Sequence, residues 1–345
     1  MLLGTLGATR RATVQIIMNI LPNMVHVSPV PAFRTTSIKN GSMVGYRWRI
    51  TDQSDNCDTE TMDDKQRKRK QFIHRKETMG DIQRKRKQLI HQVCAAIKPG
   101  DNNYHRPEER RGLLYINKYQ IAYCQIPKVG ITNWKRIILV LMGYNSTVGI
   151  NHHVINLRGF PSISKDESRK RHCTSFLFVR HPFQRLLSAY RNKFEIPDYY
   201  DIAEEIGRKI VSHLRPNASA SVKNSWKNVT FPEFIQFLLY ISNKNRYNWH
   251  WDFQHKLCEV CEFSYDFIGH FENIVEESNY LLRSIGITDV SFPEFSTHAT
   301  NSSNINMYLK YFAQVPGEDI IKLYKLYEMD FKLFGYPFPE ELIKE

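Results

Sequence analysis

Two short stretches carry the residue types that bind phosphate. In Ala122–Gly143 (AYCQIPKVGITNWKRIILVLMG), Lys128 and Gly130 lie between an apolar run and a segment whose Ile137, Ile138, Leu141 and Met142 recur at helical spacing. In Phe176–Phe194 (FLFVRHPFQRLLSAYRNKF), Arg180, His181 and Pro182 stand at the same kind of junction, followed by Arg185 and Ser188. A lysine beside a helix N-terminus offers an anion a positive charge, unpaired backbone N–H groups and the positive end of the helix dipole. An arginine at a strand end can grip a phosphate with two parallel hydrogen bonds, and a hydroxyl about two turns into the helix can reach the same anion. Two such corners, about fifty residues apart, predict a ligand with two separate phosphates. The plainer alternatives are a corner with a solvated lysine and a basic surface helix with Arg185 paired to a carboxylate.

The chemistry requires elements that hold these residues. Ile121–Ile126 reads as a strand that Pro127 stops, and Thr132 and Asn133 are favoured first residues for the helix that follows. Pro182 suits a first helical turn. The loop is not of the Walker A type, which ends in Gly-Lys-Ser/Thr. Further along, Phe231–Tyr240 reads as a helix capped by Thr230 and started by Pro232, with Phe234, Phe237 and Leu238 on one face. Glu318–Phe334 carries Ile320, Ile321, Tyr324, Tyr327 and Phe331 at helical spacing, and Asp201–Asn224 reads as a polar, irregular insertion.

The runs Ile126–Arg136 and Phe178–Phe194 resemble the 5′-phosphosulfate and 3′-phosphate motifs of Golgi carbohydrate sulfotransferases, most closely the HNK-1/chondroitin 4-O-sulfotransferase group. The similarity continues through His250–Trp251, Leu257–Cys261, Tyr265–Glu272 and Tyr311–Tyr336. It implies an α/β, P-loop-like sulfotransferase fold with a central parallel sheet flanked by helices. It also implies 3′-phosphoadenosine 5′-phosphosulfate as sulfate donor, with no metal. Pro127, Lys128, Val129, Gly130, Ile131, Thr132 and Asn133 then form the 5′-phosphosulfate loop. Arg180, His181, Pro182, Phe183, Gln184, Arg185, Leu186, Leu187 and Ser188 form the 3′-phosphate site. Two departures stand out: Ile131 replaces a small residue, where its branched side chain could reshape the pocket, and His181 and Gln184 replace acidic ones. Lys128 is expected to meet the charge of the leaving oxygen. His153 is the first choice for the base, by resemblance to the His-Val pair of uronyl and heparan 2-O-sulfotransferases, and His250 is the second; for each, a structural imidazole is the alternative. The implied acceptor is a glycosaminoglycan or glycoprotein glycan, with the 4-hydroxyl of N-acetylgalactosamine in chondroitin or dermatan preferred. The competing class is a non-catalytic relative or a basic polyanion-binding protein.

At 345 residues, 42% of them hydrophobic, the chain can bury one large α/β core. Lys65–His91 holds eleven Lys or Arg and two acids, the larger part of the +13 formal charge, in a near-repeat: QRKRKQFIH from Gln66 and QRKRKQLIH from Gln83. A solvated stem is the commonest meaning of such a run; polyanion docking is the sharper one, and the lack of interleaved aromatics argues against nucleic acid. The expected organisation is a weak signal anchor within residues 1–35, a basic stem over 36–112 and a catalytic domain over 113–345. The resemblance implies a single-pass type II Golgi membrane protein. Ala12–Val27, however, contains Gln15, Asn19, Pro22, Asn23 and His26 and falls short of a clean membrane span. A degenerate anchor, a misassigned start and a soluble form all fit. Cys258 and Cys261 form a C-x-x-C without a second pair at zinc spacing, so a short-range disulfide or two buried thiols is expected. Sequons at Asn40, Asn145, Asn217, Asn228 and Asn301 are compatible with a secretory route.

Overall fold

The apolar runs Leu113–Ile116 and Ile121–Cys124 form strands β1 and β2. Every residue of both is buried, as continuous apolar strands require when a sheet is covered on both faces. A 3-10 turn at Asn117–Tyr119 joins them as an antiparallel hairpin. The structure is a computed structural model that describes residues 77–97, 113–143, 161–196, 200–225, 227–242, 247–294 and 300–343. His153, the apolar segment Ala12–Val27, the basic repeat beginning at Gln66 and the sequons Asn40 and Asn145 lie outside these residues.

Strand β3 (Ser162–Ile163) pairs antiparallel with β1, β4 (Thr174–Val179) parallel with β2, and β5 (Phe267–His270) parallel with β4, in the order β3-β1-β2-β4-β5. The expected parallel sheet is thus β2-β4-β5, with the β1 hairpin partner and β3 extending it. Cys124 lies opposite Leu177, and Val179 opposite His270, so the carboxyl ends of the three parallel strands share one edge. That edge is where open α/β sheets bind ligands. Gly269 permits the close packing of β5, because a Cβ there would stand 2.1 Å from the Phe178 ring.

The helices in chain order begin with α1 (Met79–Ala95), α2 (Ile131–Leu141), α3 (Lys165–Lys170) and α4 (Pro182–Tyr190), the last continuing into a π turn at Arg191–Glu195. They continue with α5 (Tyr200–Leu214), α6 (Ala220–Lys223), α7 (Phe231–Ile241) and α8 (Gln254–Cys258). The chain ends with α9 (Ile274–Ser284), α10 (Ile305–Phe312) and α11 (Gly317–Phe334). One core lies on the sheet, where Trp134 and Tyr123 pack on Phe176 with ring centroids 4.6 and 4.7 Å away. A second core gathers Phe183, Phe234, Trp251, Phe312 and Phe331 from the helices. Helix α7 carries the Thr230/Glu233 capping box that its sequence announces, and α11 matches its expected span closely.

Two expectations are corrected. Asp201–Asn224 is not irregular: Ile202, Ala203, Ile206, Ile210, Val211 and Leu214 make an apolar helical stripe, and Glu204–Arg208 and Glu205–Lys209 pair one turn apart on the outer face. Cys258 does not bridge Cys261. Cys124 pairs with Cys258 and Cys94 with Cys261, because α8 and the turn after it lie against the end of β2 and against α1. The compact unit runs over Glu77–Lys344. Helix α1 belongs to it: the Gln83 amide donates to the Ile268 carbonyl (2.9 Å) and accepts from the Ile268 N–H (2.8 Å), doing at the edge of β5 what another strand would do. Arg86 adds a two-point ion pair with Glu277 at 2.6 and 2.9 Å. Arg84 meets Asp81 and Lys85 meets Glu77, so three of the four positive charges in this copy of the repeat already face carboxylates.

Candidate active site

The loop after β2 turns sharply because two of its residues are left-handed, Lys128 at φ 69° and Gly130 at φ 83°. Gly130, rather than Thr132 or Asn133, occupies the N-cap of α2, and its carbonyl takes the N–H groups of Asn133 and Trp134 at 3.1 Å each. A Cβ on Gly130 would lie 2.3 Å from Ile274 Cδ1, so glycine is set by close approach as well as by φ. Among the described residues, the N–H groups of Gly130, Ile131 and Thr132 donate to no protein acceptor. Three consecutive donors at a helix start have the geometry of an anion cradle, reinforced by the helix dipole. Ile131 is half-buried and packs against the apolar core of the sheet, which accounts for a branched residue inside a tight loop.

Lys128 Nζ donates to Asn192 Oδ1 at 2.6 Å. Asn192 is buried on the π turn after α4, and a π turn rotates side chains off the α-helical register. Arg180, 3% exposed, leaves the end of β4 with its guanidinium over the Phe271 ring at 4.3 Å. It donates from one terminal nitrogen to the Lys128 carbonyl (3.2 Å) and from the other to Ser303 Oγ (2.8 Å), while its Nε has no partner. Burial pulls its pKa down to about 10 against the opposing pull of Glu272, so it stays charged at neutral pH. The Arg180–Lys128 contact makes one site of the two corners that the sequence keeps far apart. Ser188 Oγ, also buried, hydrogen-bonds Thr300 Oγ1 at 3.0 Å.

The backbone of Arg180 is pinned from behind. Gln254 accepts from its N–H (2.9 Å) and donates to its carbonyl (2.8 Å), and Asp330 of α11 accepts from the N–H groups of Gln254 and His255 and meets His255 Nδ1 at 2.6 Å. This buried chain fixes where the guanidinium starts.

Other expected site residues make their contacts within the protein. Arg185 is 1% exposed and gives its N–H groups to three backbone carbonyls, those of Pro127 (3.0 Å), Asp252 (2.6 Å) and Trp249 (3.2 Å). It clamps the loop after β2 to the turn carrying His250, and among the described residues it makes no ion pair with a carboxylate. The side chains of Val129, Phe183, Leu186 and Leu187 are wholly in the apolar cores, and Pro182 is buried at the helix start. His181 sits in a box of Phe183, Tyr308, Phe331 and Tyr336 rings, its backbone N–H donating to Glu272. Burial, aided by nearby Arg180, lowers its pKa to about 4, so it is neutral at pH 7. Gln184 Oε1 is buried without a partner. His250 Nδ1 lies 2.7 Å from Asn248 Oδ1 on a turn that also carries Asp252, whose pKa burial pushes up.

Sequence reasoning missed Asn192, Gln254, Asp330, Thr300 and Ser303. Asn192 stood inside the quoted SAYRNKF run and could have been weighed, whereas nothing local marks Thr300 or Ser303.

The parallel strands of this α/β sheet end beside a run of backbone N–H groups at a helix start and a buried arginine, an arrangement whose chemistry suits an anion. The family described as "Sulfotransferase family" matches residues 111–337, and the chain belongs to it. It is 33% identical over 261 residues to carbohydrate sulfotransferase 8 of Mus musculus, covering 72% of this chain and 62% of that protein. It is 32% identical over 251 residues to carbohydrate sulfotransferase 11 of Rattus norvegicus, covering 68% and 70%. With carbohydrate sulfotransferase 14 of Danio rerio the identity is 35% over 233 residues, covering 66% and 62%. No solved structure matches.

Proposed function

We propose that the chain transfers a sulfuryl group from 3′-phosphoadenosine 5′-phosphosulfate to a hydroxyl of a glycan. The observation that carries this reading is the Arg180–Lys128 contact, which sets a buried guanidinium beside a cradle of unpartnered N–H groups. The cradle and Lys128 suit the 5′-phosphosulfate end, and Arg180 with Ser188 suits the 3′-phosphate. When bound, the nucleotide supplies an activated sulfuryl group. The residues must then balance charge on the leaving oxygen and accept one proton from the acceptor hydroxyl. Lys128 suits the first task, and Asn192 holds its ammonium in place. His153 is the first candidate for the second. His250 is the runner-up, and Arg185 ties its turn to the anion loop.

The acceptor we favour is the 4-hydroxyl of N-acetylgalactosamine in chondroitin or dermatan, with terminal N-acetylgalactosamine or glucuronate on glycoproteins as the alternatives. The Golgi lumen is the compartment we favour, and two disulfides suit its oxidising milieu. Among the described residues no helix is long and apolar enough to cross a membrane, so an anchor would have to lie elsewhere. A polyanion-binding role for the second basic repeat is disfavoured, because three of its four charges are engaged by Asp81, Glu77 and Glu277.

The test incubates the purified protein with radiolabelled phosphosulfate donor and a panel of desulfated glycosaminoglycans, followed by disaccharide analysis. Transfer lost on Lys128→Ala and on Arg180→Ala is expected. No transfer to any acceptor, together with no binding of 3′,5′-ADP, refutes the enzyme reading; transfer that survives either substitution refutes the site.

A further inference from the structure

The four-residue segment Thr300–Ser303 touches three side chains of the second anion corner. Thr300 Oγ1 meets Ser188 Oγ (3.0 Å), Ser303 Oγ accepts from Arg180 (2.8 Å), and the Thr300 carbonyl accepts from Arg191. Ser302, 1% exposed, bonds Thr300 Oγ1 from beneath. Asn301 takes the left-handed conformation (φ 51°), which lets hydroxyls on both sides of it face the same corner.

Counting protons shows what this corner lacks. Ser188, Thr300 and Ser302 form a chain of three hydroxyls with two contacts between them, so one O–H is left to give. Ser303 accepts from Arg180 and keeps its own O–H. Arg180 Nε–H, fully buried, donates to nothing. No carboxylate among the described residues makes an ion pair with Arg180. Glu272 acts on Arg180 only through space, so the corner has surplus donors and a guanidinium with no carboxylate in contact, the complement of a phosphate monoester.

We infer that Thr300–Ser303 is a strap that completes the 3′-phosphate site, with the Thr300 and Ser303 hydroxyls as phosphate ligands beside Arg180 and Ser188. The inference rests on the donor reading above and adds to it a segment 112 residues beyond Ser188 in the chain. It also overlaps a sequon: Asn301-Ser302-Ser303 needs Ser303 for glycosylation, so removing that hydroxyl changes two things at once.

The test measures affinities of the full chain for 3′,5′-ADP and for 5′-AMP, which lacks the 3′-phosphate, by calorimetry. The Thr300→Val/Ser303→Ala variant is expected to lose about tenfold or more in affinity for 3′,5′-ADP, the worth of a hydrogen bond to a charged group, with 5′-AMP binding unchanged. Thr300→Ser and Ser303→Thr, which keep the hydroxyls, should bind as the parent does. Asn301→Gln, which removes only the sequon, should also leave both affinities alone. If the double variant fails to fold, Ser303→Ala alone carries the test. An unchanged or increased preference for 3′,5′-ADP overturns the strap, as does an Asn301→Gln variant that reproduces the loss. A parent protein that binds no 3′,5′-ADP overturns the donor reading instead.

Discussion

Gly130 offers a perturbation whose two costs can be separated. Gly130→Ala places an L side chain at φ 83°, which costs about 1–2 kcal/mol. It also sets a Cβ 2.3 Å from Ile274 Cδ1, and forcing atoms apart in a packed core costs about 1–3 kcal/mol. The sum, about 2–5 kcal/mol, is a large share of the stability of an ordinary domain. Ile274→Val deletes the clashing carbon; the next atoms, Phe292 Cζ at 3.6 Å and Ile274 Cγ1 at 3.8 Å, are at ordinary contact. By itself Ile274→Val should cost about 0.5–1.5 kcal/mol, yet in the Gly130→Ala background it should restore stability. Urea denaturation of the four proteins gives the coupling energy, expected at about 1–3 kcal/mol in favour of the double variant. Donor KM should rise in Gly130→Ala, because the glycine anchors the N–H cradle, and should fall part of the way back in the double variant. A double variant no more stable than the additive sum would refute the packing argument, and a Gly130→Ala protein with parental donor KM would refute the link between the turn and the cradle.

Two further outcomes are expected. His181 and His270 are buried with pKa values pulled down to about 4 and about 3, so below the ordinary histidine value of about 6.5 the unfolded chain binds protons that the folded one refuses. Their contribution is fully present above that value and is lost as pH falls toward 4 and then 3, at up to about 1.4 kcal/mol per pH unit for each ring. Urea midpoints measured from pH 7.5 to 4.5 should flatten in His270→Phe, about pH being the only variable changed; an identical slope would show that His270 is not kept neutral. Reduction, or Cys124→Ser with Cys258→Ser, opens a link spanning 134 residues and should cost about 2–5 kcal/mol, read as a lower melting temperature in dithiothreitol. Because reductant also opens Cys94–Cys261, the Cys124→Ser/Cys258→Ser protein carries the test, and a melting temperature equal to the parent's would argue against that pairing.

What could be read in advance was local. Pro127 ending a strand, Gly130 in a loop, the Thr230/Glu233 cap and the apolar spacing of Glu318–Phe334 all act over a few residues, and the elements they announce are present. The same kind of signal was there in Ile202, Ile206, Ile210 and Leu214, hidden by the polar residues between them. Arg185 shows the limit. In sequence it is one more cation in a basic motif, and only its contacts with Pro127, Trp249 and Asp252 reveal a clamp.

The chain by itself determined two strand-loop-helix corners rich in cations and membership of a family, because each depends on residue types at short spacing. Tertiary structure decided how the corners meet: Arg180 reaching the Lys128 carbonyl, Asn192 taking the Lys128 ammonium, Cys258 and Cys261 finding Cys124 and Cys94, and Gln83 sealing β5. These contacts join residues 52 to 185 positions apart. A side chain's type states what it can bond, but its partner is chosen by which strands lie side by side, and that follows from burying the whole core at once.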